Sequence, residues 1–550
     1  MGMYRNMAAV CSFLNPSSQR MWIKAAGFAL LTGSVLMCLA LQSVLQVGIS
    51  WSQMLGVTSL TPFQPSPSHV IESWSSSCLS RTQQMNYRPA SQSISNSASW
   101  EKAFRDYKKF HNQCSQGRNW TLQFLEDATE SNHSRDSHHS ASSCGVLVYV
   151  EGSAGMGNRL LSLVSAFLYS LLTNRVFLLD SRGHLPELLC EPFSDSSWLL
   201  SSNFPFKALD EATTLGEFDQ AAALAGDFSA QVVKLQLDHD QTISDQRFFC
   251  AETRKALELV PWLVWTSNQY YGPRFFTFPE LWEPLTALFP NVSLTFTHLS
   301  RSLLLPSNSV WDKVTRMYSS YLTHVDQLLG VQIRRHSVDD RGRYDEAAFH
   351  RILHCLTGRK FLPNVGLSNG SMRQESQTPG RYSPPRVNYA VLVTSLQIKF
   401  FEELRDLYTN VATVDRSLVR VHMVSHEGVE WHSFDQDQKA FIEMWLLSLS
   451  DRIVTSSMST FGYIAQGLGA LRPLVVDLRG EISEQTSASM ESVCYFGQSI
   501  EPCNHHTFYP TGSNCAVNQT TLSDIHLAWI RSNLLPCQDA PAGLQLAAYL

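Results

Sequence analysis

An apolar run over residues 329–337, LGVQIRRHS, ends in Arg334, Arg335 and His336, where a strand would deliver a planar guanidinium to the rim of a sheet. Such a group holds two oxygens of a diphosphate at once and steadies the charge that builds on it as a leaving group. One of the two arginines is expected in an ordinary ion pair. A second cluster, Ser456, Ser457, Ser459 and Thr460, crowds another predicted strand end and is followed by Phe461, Gly462 and Tyr463. Hydroxyls and amides that open a helix bind phosphate, and an aromatic ring can cover a base or a sugar. The plain alternative is a Ser/Thr N-cap with a core aromatic behind it. A third element is the glycine loop in residues 146–180, VLVYVEGSAGMGNRLLSLVSAFLYSLLTNRVFLLD. Gly155 and Gly157 let the chain turn at the carboxyl end of an apolar strand, so that the next helix turns its amides toward an anion. A nucleotide diphosphate fits there. The loop lacks the Gly-Lys-Ser/Thr ending of a P-loop, its glycines at 152, 155 and 157 are not in GxGxxG order, and a glycine turn closing any α/β crossover is the other reading.

Two Asp-x-Asp triplets, Asp238 with Asp240 and Asp435 with Asp437, have the spacing that elsewhere holds a divalent cation on nucleotide-sugar phosphates. Both read as structural. The second pair precedes a predicted helix at 438, where acids suit the dipole, and the first sits in a polar run with no strand leading into a glycine turn. No HExxH motif is present, and the one GxSxG spacing, at residues 366–370, falls in a polar run read as a surface loop rather than at a strand end, so neither supports a hydrolase.

The elements that must position these groups alternate. Residues 146–150 and 176–180 are short β-branched runs, and Leu160, Leu161, Val164, Phe167, Leu168, Leu171 and Leu172 recur at helical spacing between them, which is a βαβ unit. Further strands are predicted at residues 231–235, 329–333, 389–394, 419–424, 452–455 and 474–477, with helices between most of them, one of them at 438–450. That pattern gives an α/β protein with mostly parallel sheets. Ligands of open α/β sheets lie outside the carboxyl ends of strands, so the 155–159 loop of one sheet and the 455–463 loop of another can face one substrate across a cleft. Residues 363–386 read as a surface loop.

The chain has 550 residues, 44% hydrophobic and 16% charged, enough for two domains with real cores. Residues 25–41 carry no charge, and the run continues with few polar interruptions to Ile49, long enough to cross a bilayer as one helix. Arg5, Arg20 and Lys24 precede it, and no Lys or Arg follows until Arg81, which places the N-terminus in the cytosol and the rest across the membrane. A cleaved signal peptide is the competing reading. Of the twelve cysteines, Cys11 and Cys38 fall before or within this run, and the other ten include no CxxC pair, so disulfides outrank metal sites. Asn119, Asn132, Asn291, Asn369 and Asn518 begin glycosylation triplets. A net charge of −6 without a basic cluster argues against nucleic acid as a partner. Residues 50–99 are rich in Ser, Gln and Pro and read as a flexible stem, with a helical pattern from Trp100.

Taken together, these residues resemble the plant xyloglucan fucosyltransferases from about Cys78 to Cys537. The resemblance is carried by GMGNRLLSLVSAFLYSLLTNRVFLLD, by LLCEPF and FFC around Cys190 and Cys250, by VPWLVWTSNQYY at 260–271, by LGVQIR and AVLVTSL, and most distinctively by LSLSDRIVTSSMSTFGYIAQGLGALRP. It implies a GT-B-like pair of Rossmann-type domains with an interdomain cleft, behind a single N-terminal transmembrane helix and stem. The corresponding segments are a tail at 1–21, a signal anchor at 22–49, the stem at 50–99, an acceptor-side domain at 100–325 and a GDP-fucose-binding domain at 326–550. It further implies a Golgi type II membrane protein and inverting α-1,2 transfer of L-fucose from GDP-fucose to a galactosyl residue of a polysaccharide or glycoprotein, without an essential metal or other cofactor. A homodimer is compatible with it. Arg334 matches the arginine on the donor diphosphate, and Ser459, Thr460, Phe461, Gly462 and Tyr463 match the donor-binding loop. Gly155, Gly157, Asn158 and Arg159 join them from the glycine loop, and His422, Ser425 and Glu427 match a segment approaching the nucleotide. Asn268 and Tyr270 fall on the acceptor side. Asn268 stands where Asp is often found, and Met458 where an aromatic residue is common, so no general base is nominated beyond His336, Asp339 and His422 as titratable neighbours. Two other functions fit: a carbohydrate-binding secretory protein that has lost catalysis, or a transferase of the same fold with another nucleotide sugar.

Overall fold

The computed structural model describes residues 78–92, 94, 97–129, 144–193, 195–218, 230–238, 245–335, 345–366, 387–424, 433–479, 493–505 and 522–547. The tail, the anchor, Asn132, Asn369, Asn518, Asp240, His336, Asp339, Ser425 and Glu427 lie outside the described residues. Among the described residues no helix is long and apolar enough to cross a membrane.

The described residues contain two open sheets with helices packed between them. The first contains β1 (Val146–Tyr149), β2 (Val176–Leu179), β3 (Thr213–Thr214), β4 (Val232–Leu237) and β5 (Trp262–Ser267), all parallel, in the order β2-β1-β5-β4-β3. The second contains β6 (Gln327–Ile333), β7 (Asn388–Ser395), β8 (Leu418–His422), β9 (Arg452–Ser456), β10 (Pro473–Val476) and β11 (Cys494–Phe496), in the order β11-β10-β9-β6-β7-β8, with β11 alone antiparallel. Both are Rossmann-type sheets whose central strands are covered on both faces, which explains their uninterrupted apolar runs. β5, in the middle of the first sheet, is absent from the sequence reading. WLVWTS is apolar and aromatic on successive residues, and periodicity cannot assign such a run to strand or buried helix.

The helix that follows the glycine loop, Met156–Leu172, is buried at nearly every position up to Ser170 rather than along one stripe. One side rests on the first sheet. The other meets the helix Thr460–Gly469 of the second half, so no side remains for solvent. The helix Phe434–Ser448 is wedged in the same way, with Trp445 Nε1 donating to Leu304 O at 3.1 Å.

Folded structure begins before residue 100, which corrects the extent of the stem. Cys78 is bridged to Cys190, Tyr87 meets Trp311 edge-on at 5.4 Å, and Gln92 Nε2 donates to Ser450 O at 2.7 Å, so residues 78–92 are tied to both halves. The Ser and Gln content that suggested a flexible stem here supplies buried hydrogen bonds. Cys114–Cys144, Cys355–Cys494 and Cys503–Cys537 are bridged, and Cys250 is also disulfide-bonded. The chain end returns to the first half. Glu501 accepts from Phe296 N at 2.7 Å and from the Tyr270 hydroxyl at 3.1 Å, and the Trp529 ring stacks on Phe276. Asn119 and Asn291 are exposed.

Candidate functional site

The carboxyl ends of both sheets border one cavity of about 430 Å³, a size suited to a nucleotide or drug-sized ligand. Its walls come from residues 154–159, Asn268 and Gln269 of the first half and from residues 332–334, 394–396 and 458–461 of the second, with one stripe of the Phe434–Ser448 helix and His505.

Arg334 follows directly on β6, which pairs with β9 so that Gln332 lies beside Thr455. This register carries Arg334 to the serine turn after β9, where its N–H donates to Ser456 Oγ at 2.8 Å. The half-buried side chain lines the cavity, and burial draws the guanidinium's pKa below its ordinary value. Arg335 is the arginine in an ordinary ion pair, 2.9 Å from Asp345.

The hydroxyls of the turn serve the protein. Ser457 Oγ donates to Asp477 at 3.0 Å, Ser459 Oγ caps the helix at Gly462 N, and Thr460 Oγ1 donates to Asn158 Oδ1 at 2.8 Å. An anion in the cavity therefore meets the amides that open the helix Thr460–Gly469, which have no intrahelical acceptor. Met458 leads into this helix in the left-handed region, at φ 55°, a strained position for a residue with a side chain, and Asp539 Oδ2 holds it by accepting its N–H at 2.8 Å. Gly462 lies behind the turn, where a Cβ would come within 3.0 Å of Thr455.

The glycine loop acts differently from the sequence reading. Gly155 is the helix N-cap at φ −60°, and neither it nor Gly157 adopts a positive φ. At Gly157 a Cβ would sit 2.9 Å from the Thr460 carbonyl carbon, so this glycine permits close approach of the two helix starts. Asn158 donates to Asn268 O at 3.0 Å while accepting from Thr460. Arg159 donates to Glu151 at 2.8 Å and bonds Asp437, which also pairs with His184 at 2.6 Å. Burial opposes the Arg159 charge, yet these carboxylates hold its pKa above the ordinary value. Gly157, Asn158 and Arg159 thus line the cavity but fasten one half to the other. Asp435 is exposed while Asp437 is buried against Arg159, in keeping with a structural reading of that pair.

Among the described residues, four predicted on the donor or acceptor side do not line the cavity: Tyr270, His422, Gly462 and Tyr463. Tyr270 is fully buried, because the returning chain end holds it in the core, with its hydroxyl on Glu501 and its carbonyl accepting from Asn504 Nδ2. His422 ends the edge strand β8 beside Tyr321, also off the cavity. Tyr463 is buried beneath the turn and bonds Asp539 and His505. Asn268 does line the cavity.

Sequence reasoning missed Glu443. Gln436, Ala440 and Glu443 recur at helical spacing on the cavity side of their helix. Glu443 shares the cavity lining with Gln332 and Thr394, which pair across β6 and β7. Its Oε1 and the Thr394 hydroxyl are buried without a hydrogen-bond partner. Burial pushes the Glu443 carboxyl up to about 7. The available signal was a lone acid inside the apolar run FIEMWLLSLS.

Residues 71–512 match the sequence model of a family described as Xyloglucan fucosyltransferase. The chain belongs to this family. It is 32% identical over 484 residues to Fucosyltransferase 2 of Arabidopsis thaliana, covering 86% of this chain and 84% of the relative. It is 33% identical over 483 residues to Galactoside 2-alpha-L-fucosyltransferase of Pisum sativum, covering 86% and 79%. A solved mutant of Arabidopsis thaliana FUT1 in complex with GDP superposes with a TM-score of 0.71 at 32% identity, over 88% of this chain and 98% of the other. Across the cavity a guanidinium and the amides opening a helix stand on one side, with a buried carboxylate nearby and the side-chain amides of Asn268 and Gln269 on the wall from the first half.

Proposed function

We propose that this fucosyltransferase moves L-fucose from GDP-fucose to O2 of a terminal galactosyl residue on a cell-wall glycan, xyloglucan or arabinogalactan, from a single-pass position in the Golgi membrane, inverting and without a required metal. The observation that carries this reading is the meeting of Arg334 with the Ser456–Thr460 turn at one cavity whose opposite wall belongs to the other sheet.

Fucose is β-linked in the donor and α-linked in the product, so one in-line displacement accounts for the stereochemistry. The acceptor oxygen bonds to C1 as the C1–O bond to the β-phosphate breaks, and charge grows on the departing diphosphate. Arg334 and the amides of Thr460 and Phe461 meet that charge at the cavity wall, an effect of several kcal/mol. Glu443 accepts the N1–H and 2-amino hydrogens of guanine, and adenine offers no such pair of donors. Asn268 and Gln269 face the acceptor.

The test is GDP release from GDP-fucose by the purified full-length protein, with and without galactose-ended polysaccharides and with and without EDTA. Acceptor-dependent, EDTA-insensitive release with α-1,2-linked fucose in the product is expected. Binding without release marks a carbohydrate-binding protein, and release only from a different nucleotide sugar marks another donor.

A further inference from the structure

Transfer requires the attacking hydroxyl to lose a proton. Among the described residues, the ionisable side chains lining the cavity are Arg159, Arg334, Asp437, Lys439, Glu443 and His505. Arg159 and Asp437 neutralise each other, Arg334 and Lys439 are cations, and Glu443 is taken by the donor base in the reading above. His505 stands on the wall with Asn268 and Gln269, where its backbone N–H donates to Gln269 Oε1 at 3.2 Å.

The imidazole is held from behind. Tyr463 Oη donates to Asp539 Oδ2 at 2.5 Å and lies 3.1 Å from His505 Nε2. Burial and Asp539 push the phenol's pKa far up, so it keeps its proton. That proton goes to Asp539, which leaves the phenol oxygen able only to accept, and His505 Nε2 must carry hydrogen toward it. Neutral His505 is therefore the Nε2–H tautomer with its basic lone pair on Nδ1. The Cys503–Cys537 bridge joins the chain two residues before His505 to the chain two residues before Asp539 and fixes both around Tyr463.

We propose that His505 takes the acceptor's hydroxyl proton at Nδ1, with Tyr463 and Asp539 as positioning residues that set its tautomer and stabilise the imidazolium. The inference rests on the fucosyl-transfer reading above. The acceptor oxygen bonds to C1, the electron pair of the C1–O bond leaves with GDP, and the proton passes to Nδ1 and then to solvent. The arrangement follows the logic of an acid-oriented histidine base with a phenol interposed.

The experiment compares full-length wild type, His505→Gln, His505→Ala and Tyr463→Phe by steady-state transfer and by calorimetric GDP-fucose binding. Expected for His505→Gln is a fall in kcat of about 100-fold with donor affinity within about twofold of wild type. Added imidazole restores part of the His505→Ala rate. Tyr463→Phe lowers kcat about tenfold at unchanged KM for both substrates, a split that a purely structural role would not give. If His505→Gln keeps kcat within about threefold of an active wild type, if its loss appears equally in donor affinity, or if imidazole restores nothing, the inference falls alone. A wild type without turnover overturns the functional reading and this inference with it.

Discussion

Replacing Glu443 with glutamine probes the buried end of the donor cavity. Burial pushes the carboxyl up to about 7, with Lys439 pulling it partly back, so near neutrality the empty site is about half ionised. A donor base that offers two N–H groups binds the ionised form, so affinity must rise as pH rises through 7 and fall below it. With a midpoint near 7, the ionised fraction changes about tenfold between pH 6 and pH 8, and the wild-type Kd for GDP-fucose should change by the same factor. An amide keeps one acceptor but turns its own N–H toward the second guanine donor. Loss of one charge-assisted bond costs about 1.5–3 kcal/mol, so Glu443→Gln should weaken binding about 10- to 150-fold at pH 8. The variant should also lose the wild-type pH dependence. Calorimetry with GDP-fucose suits the measurement because its diphosphate is a diester with no ionisation near neutrality, and an ADP-sugar serves as the adenine control. A wild-type Kd that stays constant from pH 6 to 8, or a variant that binds within about twofold at pH 8, would refute the placement of guanine on this carboxylate.

Arg334→Lys keeps a positive charge but cannot hold two oxygens in one plane, and turnover should fall at least about tenfold with the fold intact by circular dichroism; wild-type turnover in the folded variant contradicts the role. Gly157→Ala places a Cβ against the Thr460 backbone, so the two halves must part by a few tenths of an ångström; a lower Tm and a lower kcat are expected, and an unchanged melting curve would count against the fastening role. Burial pushes Glu501 up to about 8, above its unfolded value near 4.5, so the folded state binds the extra proton and stability falls as pH rises between these two values. Glu501→Gln should remove that slope and leave the variant more stable than wild type at pH 8, by up to about 3 kcal/mol in urea titrations; equal slopes for both proteins would refute it.

Much of the fold was legible because parallel strands buried on both faces are unbroken apolar runs between turn residues, as in VLVYV, VFLLD and LGVQI. The arginine at 334 and the turn near 460 were legible because chemistry sits at strand ends in such sheets. What escaped depends on partners far along the chain. Asn158 and Thr460 are 302 residues apart, and Arg159 and Asp437 are 278 apart, so a motif that reads locally as an anion loop becomes a clasp. His505 and Glu443 escaped for a related reason. The histidine follows a disulfide-braced strand return with no local motif, and the glutamate lies in a helix whose apolar content pointed to core. Tyr270 was misplaced because the contact that holds its side chain in the core, Glu501, lies 231 residues away.

The central claim is that Arg334 and the turn at 456–460 grip the diphosphate of a fucosyl donor while an acceptor enters from the opposite wall. Its most direct test is GDP release from GDP-fucose by wild type and Arg334→Lys protein, with and without a galactose-ended polysaccharide. The account predicts acceptor-stimulated release by the wild type and a collapse of that stimulation in the folded variant. Equal release by both proteins, or none from wild type with any galactosylated acceptor, would contradict it.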